Sequence, residues 1–214
     1  MADPSQNDRF LDIVYQARTI DETRNMYDRW AETYDTELID ENAYAQPRRC
    51  AEMLSRYLKT RDAEILDIGC GTGLSGAALL EAGYRTVDGC DFSPGMLAKA
   101  GETGLYRRLF EADLNVPPLD AGDGAYGAAV AVGVFGFSHI DPDALDETLR
   151  VLAPSAPLVI GLNTHFYDDG ALTEKLNALS AAGRIDRLAE EHGDHIRGTG
   201  VTGWVIAVRK AATG

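Results

Sequence analysis

From residue 64 onward, short apolar runs alternate with longer stretches of helical periodicity. Residues 64–68, 86–90, 108–111, 127–132 and 157–162 are brief, apolar and bounded by Gly, Pro or Asp, the pattern of buried strands. Between them, residues 74–82 predict a helix closed by Gly83. Ser93-Pro94 offers an N-cap and a first-turn proline for a helix through Met96 and Leu97, and Asp141-Pro142 does the same for a helix to about Leu152. A further helix is expected over residues 169–182. Strand–helix alternation of this kind implies a mainly parallel sheet with helices on both faces. Two weaker strand candidates, 185–191 and 203–209, are joined by a turn rich in glycine and predict an antiparallel hairpin at one edge. The expected fold is α/β, with seven strands.

The first sixty residues read differently. Met26, Trp30 and Tyr34 recur at helical spacing with Tyr27 and Ala31 beside them, giving an aromatic stripe. Pro47 suits the first turn of another helix, whose apolar side carries Ala51, Leu54 and Leu58. Residues 1–60 are therefore expected to form a helical cap on the domain built from residues 61–214, within one folding unit.

Composition narrows the function. Twenty Lys and Arg stand against 34 Asp and Glu, a formal charge of -14. Nucleic-acid backbones and anionic membranes need clustered cations, so neither is an expected partner. The polar N-terminus lacks the apolar run of a signal peptide, and no stretch reaches the ~20 apolar residues of a membrane span. Cys50, Cys70 and Cys90 form neither an even disulfide framework nor a metal-type CxxC. Reduced thiols, no metal and a cytoplasmic location are expected.

The segment with most chemistry is Ile65-Leu66-Asp67-Ile68-Gly69-Cys70-Gly71-Thr72-Gly73, a buried strand entering a glycine loop and then a helix. Such a loop lets a ligand approach the main chain, with N–H groups of the helix start facing it. Gly71, Gly73 and Gly76 satisfy the dinucleotide fingerprint, and Asp91 lies 20 residues beyond Gly71, where an acid meets a ribose. The competing pattern is D-x-G-x-G-x-G, on Asp67, Gly69, Gly71 and Gly73. A carboxylate at the end of a buried strand needs a cationic or N–H-rich partner. Diphosphate would repel Asp67, whereas a ligand with an ammonium group and no phosphate would suit it. S-adenosylmethionine is such a ligand.

Residues 60–210 resemble a class I S-adenosylmethionine-dependent methyltransferase. The resemblance rests on residues 65–73, on Val87-Asp88-Gly89-Cys90-Asp91-Phe92-Ser93 after the second strand, and on Glu111-Ala112-Asp113-Leu114 after the third. The leading Tyr27-Asp28-Arg29-Trp30-Ala31-Glu32-Thr33-Tyr34-Asp35 resembles the lid helix of the family's small-molecule branch, named after the Williams–Beuren region. The resemblance implies a Rossmann-like sheet. It also implies that Asp67, Gly69, Cys70, Gly71 and Gly73 hold the methionine end of the cofactor, and that Asp91, with Phe92 and Met96 nearby, takes the ribose. Ala112, Asp113 and Leu114 would surround the adenine, Val132 and Gly133 would border the methyl group, and Tyr27, Trp30 and Tyr34 would form the lid. Two departures stand out: Tyr126-Gly127 replaces the usual acid near strand four, and Pro154-Ser155-Ala156 replaces the L-x-P-G-G turn.

Methyl transfer is an in-line displacement, so alignment and exclusion of water matter more than a catalytic constellation. If the acceptor arrives protonated, the candidate bases are His139, after the fourth strand, and His165, after the fifth. The expected activity is methylation of a small acceptor, with the oligomeric state open. The rivals are an NAD(P)-dependent oxidoreductase using residues 71–76 and a cofactor-binding protein without catalysis.

Overall fold

The computed structural model of the chain describes residues 44–135 and 140–212. Strands β1 (Glu64–Ile68), β2 (Thr86–Asp91), β3 (Arg108–Glu111), β4 (Ala128–Val132) and β5 (Pro157–Asn163) pair in parallel. Strands β6 (Ile185–Ile196) and β7 (Val201–Lys210) add an antiparallel hairpin through β7 against β5. The order across the sheet is β3-β2-β1-β4-β5-β7-β6, so strand order reverses between β1 and β4. In open α/β sheets that reversal, at the carboxyl ends of the strands, is where ligands bind.

Pleat alternation divides the sheet's side chains between two cores. Leu66, Ile68, Ala129, Ala131, Leu158 and Ile160 face one side. They pack against α4 (Leu145–Val151) and α6 (Ala171–Ala181), whose Leu145, Leu149, Leu176 and Leu179 are buried. Ile65, Val87, Val130, Val159 and Val205 face the other side. There they meet Met53 and Leu54 of α1 (Gln46–Tyr57) and Leu79 of α2 (Leu74–Glu81). The capping signals work as read: Ser93 Oγ accepts from Met96 N at 3.1 Å to start α3 (Pro94–Thr103), and Asp141 Oδ1 accepts from Asp143 N at 2.8 Å.

Two elements differ from expectation. The helix expected over 169–182 is split, because Gly170 adopts φ 84° and ends a short α5 (Thr164–Asp169) before α6 begins. The hairpin strands are longer than their hydropathy suggests, 12 and 10 residues. An edge strand with one solvated face carries charges that hide it from an apolar scan.

Helix α1 is tied to the hairpin through polar side chains. Gln46 Nε2 donates to Trp204 O at 2.6 Å, while Arg49 donates to Asp194 O at 2.8 Å and Glu191 O at 3.0 Å. The expected lid residues Tyr27, Trp30 and Tyr34 lie outside the described residues. Among the described residues no helix is long and apolar enough to cross a membrane.

Candidate cofactor and methyl-transfer site

The loop after β1 turns through three left-handed glycines, Gly69 (φ 62°), Gly71 (φ 53°) and Gly73 (φ 107°). A Cβ on Gly69 would lie 2.6 Å from Val134, so that position needs glycine for space as well as for backbone angle. A Cβ on Gly71 would meet nothing within 4 Å, and the loop is open there. Gly69, Gly71 and Ser75 share a small hollow of about 30 Å³ with Val132, Pro47 and Tyr44.

Asp67 lies beneath this loop with no exposed surface. Its Oδ2 accepts from Ser75 Oγ at 2.6 Å and from the Tyr106 hydroxyl at 2.7 Å. Its Oδ1 is buried without a hydrogen-bond partner among the described residues. Burial raises the carboxyl to about 7, against the hydroxyl bonds and the Gly76 N–H that favour its charged form. Among the described residues no cation bonds it. Tyr106 also fills the space that the third glycine of the dinucleotide pattern leaves: a Cβ on Gly76 would collide with its ring and hydroxyl. Gly76 is therefore explained by a tyrosine, without any diphosphate.

Asp91 ends β2 on the other side of the loop. Its Oδ2 accepts from Gly71 N and its Oδ1 from Ser93 N, both at 2.9 Å, which holds the carboxylate at the rim of the hollow. Met96 is buried, and the Ala112 N–H donates to Asp91 O at 2.9 Å. Asp113 forms an Asx turn, accepting from Asn115 N at 2.9 Å, and the next residue, Leu114, is buried in the core. Gly133 closes the end of β4, its N–H bonded to Gly161 O at 2.7 Å. Cys70 and Cys90 are buried thiols whose pKa burial pushes up, so neither is a nucleophile.

The chain matches the methyltransferase domain family over residues 65–155. It is 34% identical over 169 residues to human methyltransferase-like protein 27, a match spanning 77% of this chain and 68% of that protein. The chain belongs to the class I S-adenosylmethionine-dependent methyltransferases. A shorter match, 44% identical over 72 residues, links it to the yeast 18S rRNA (guanine(1575)-N(7))-methyltransferase, across 32% of this chain and 24% of that protein. The solved structure of 1,6-didemethyltoxoflavin-N1-methyltransferase from Burkholderia thailandensis shares the fold, with TM-score 0.65, 21% identity and 91% coverage of both chains. The enzyme's cofactor is S-adenosylmethionine, and the oxidoreductase and non-catalytic readings fall.

The described residues suit that cofactor. The orphaned Asp67 Oδ1 calls for a donor, and the open backbone at Gly71 leaves room for a ligand against the main chain. The two candidate bases fare differently. His139 lies outside the described residues. His165 is exposed on the first turn of α5, with its ring 5.5 Å from Phe166, and it lines neither the hollow nor the larger cleft beside it. That cleft, about 960 Å³, opens past the ends of β3 and β4, where Leu114, Phe135 and Phe166 supply apolar walls.

Sequence reasoning missed Ser75, Tyr106 and Tyr44. Ser75 reaches Asp67 from the first turn of α2, and Tyr106 reaches it from the segment between α3 and β3. Tyr44 precedes the α1 proline with no periodic signal of its own. Its backbone bridges to Ile196, the Ala45 N–H donates to His195 O at 2.9 Å, and its ring stands edge-on to His195 at 5.1 Å.

Proposed function

We propose that this methyltransferase binds the methionine end of its cofactor on the 69–73 loop and transfers the methyl group to a small-molecule acceptor in the adjoining cleft. The cofactor supplies a methyl group already activated by positively charged sulfur. Asp67 Oδ1 accepts from the cofactor's ammonium, Asp91 takes the ribose hydroxyls, and Asp113 with Leu114 frames the adenine. Val132 and Gly133 border the transferred methyl group, and Tyr27, Trp30 and Tyr34 form the lid. The protein's work is alignment and exclusion of water. A carbon or thiolate acceptor needs no base, and a protonated one would draw on His139 or His165. Free, buried Cys50, Cys70 and Cys90 accord with a reducing, cytoplasmic setting.

One observation carries the choice of acceptor. Among the described residues, the 960 Å³ cleft is walled by apolar side chains and bordered by five carboxylates, Asp141, Asp143, Asp146, Glu147 and Asp169, with Arg150 as the one lining cation. Its size is that of a small-molecule site, and its charge opposes an RNA backbone.

The test is to incubate the enzyme with methyl-labelled cofactor and either purified rRNA or the dialysable fraction of a cell extract. Label is expected in the dialysable fraction. Label in rRNA would overturn the small-acceptor reading. In the same preparation, Asp91→Ala is expected to weaken S-adenosylhomocysteine binding by about 1.5–3 kcal/mol in isothermal titration, the scale of charge-assisted hydrogen bonds. An unchanged affinity removes Asp91 from the ribose.

A further inference from the structure

The hollow at the glycine loop raises a question of charge recognition. A sulfonium is a cation without N–H or O–H groups, so hydrogen bonds cannot read it. In the reading above the nearby carboxylates serve other groups of the cofactor, Asp67 beneath the loop its ammonium and Asp91 its ribose. An aromatic ring favours such a cation through its face. Among the described residues that line the hollow, Tyr44 is the one aromatic.

The fold builds a place for that ring. A Cβ on Gly133 would come within 3.1 Å of the Tyr44 hydroxyl, so the glycine at the end of β4 makes room for the phenol. Behind Tyr44 stands His195, buried and edge-on to it. A Cβ on Gly203 would lie 2.9 Å from His195 Nδ1 and 2.5 Å from Leu162 O, so a second glycine makes room for the imidazole. Two rings thus stand in file between two glycines, from β7 to β4. Burial, with the Arg49 guanidinium, lowers the imidazole to about 4, so at neutral pH no cation stands against the tyrosine from that side. The backbone bridge from Tyr44 to Ile196 fixes the file at its front.

We propose that Tyr44 reads the sulfonium charge of the cofactor and contributes more to the binding of S-adenosylmethionine than to that of its uncharged product, S-adenosylhomocysteine. This rests on the placement of the methionine end on the glycine loop proposed above. The consequence is chemical: once the methyl group leaves, the sulfur loses its charge and the ring's attraction is lost from the binding of the product.

Isothermal titration of both nucleosides against the wild type, Tyr44→Phe and Tyr44→Leu tests this. Leucine keeps apolar bulk and removes the ring. The ratio of the two affinities is expected to shift about threefold to thirtyfold toward the product in Tyr44→Leu, and to stay within about twofold of wild type in Tyr44→Phe. An unchanged ratio in Tyr44→Leu overturns the proposal. A measurement on the unaltered protein guards against a variant that fails to fold. With the cofactor's methyl group labelled with carbon-13, its proton resonance should move upfield on binding through the ring current of Tyr44, and no such movement overturns the proposal. If the wild type binds neither nucleoside, the pocket assignment itself fails, and this inference with it.

Discussion

Two buried aspartates on neighbouring strands, Asp88 and Asp67, meet opposite fates. Asp88 of β2 lies opposite Leu66 of β1 and is 2% exposed. Arg107 grips both its oxygens, at 2.8 and 2.7 Å, and the Tyr126 hydroxyl adds a third bond at 3.0 Å. Asp67 lies one pleat further along β1, on the opposite face of the sheet, and is enclosed completely. It receives two hydroxyls on one oxygen and leaves the other bare. The fold can therefore satisfy a buried carboxylate with an arginine, and does so within the same sheet. Where it withholds the arginine, at the switch point under a glycine loop, we propose that the missing partner belongs to a ligand.

That contrast can be broken most forcefully at Asp88. Replacing it with Ala removes the buried member of a bidentate pair whose arginine is half-exposed, together with the Tyr126 bond, and is expected to cost about 3 kcal/mol of stability in urea unfolding. If the protein is barely destabilised, Asp88 is not the structural member of the comparison.

Asp67→Asn should behave in the opposite sense. Binding of S-adenosylhomocysteine is expected to weaken by about 1.5–3 kcal/mol, because a charged acceptor for the ammonium is gone. Stability carries a second signature. The folded carboxyl sits at about 7, above its ordinary value of 3.8, so the native state holds this proton more tightly than the unfolded chain. Its contribution to stability is complete below about 3.8 and is lost as pH rises through about 7. Thermal melts of the wild type should therefore lose ground to Asp67→Asn between about pH 4 and 7. Cofactor affinity should run the other way, rising toward pH 7 in the wild type as the carboxylate ionises and staying flatter in the variant. Parallel melting curves across that range would count against a raised Asp67.

The smallest change sharpens the comparison. Tyr106→Phe deletes one of the two hydroxyl bonds to Asp67 and should cost about 0.5–1.5 kcal/mol of stability. With less support for the charged form, the midpoint of the affinity–pH curve should move upward. A midpoint that stays in place would mean that Tyr106 supports the fold without tuning the carboxylate.

The strands of the parallel region, the capped helices at Ser93 and Asp141 and the glycine loop were legible in the sequence. Each depends on local rules: apolar runs, capping side chains, and glycine where φ is positive. The split at Gly170 was not legible, because one glycine inside a helical pattern can either be carried along or end the helix. The length of β6 was hidden by the charges of a solvated edge. At the site, Asp67 and Asp91 could be named from spacing to the glycines. Tyr106 and Tyr44 could not, because they reach the loop from before β3 and before α1.

The sequence by itself determined the kind of sheet, the glycine loop after its first strand, and the acidic groups gathered around that loop, since all of these follow from short-range periodicity and spacing. Only tertiary structure decided which carboxylate received an arginine and which was left with an unmatched oxygen, because partners come from distant strands and loops. The same holds for the aromatic ring at the hollow: residues far apart in the chain become neighbours only when the sheet closes and the hairpin returns along its edge.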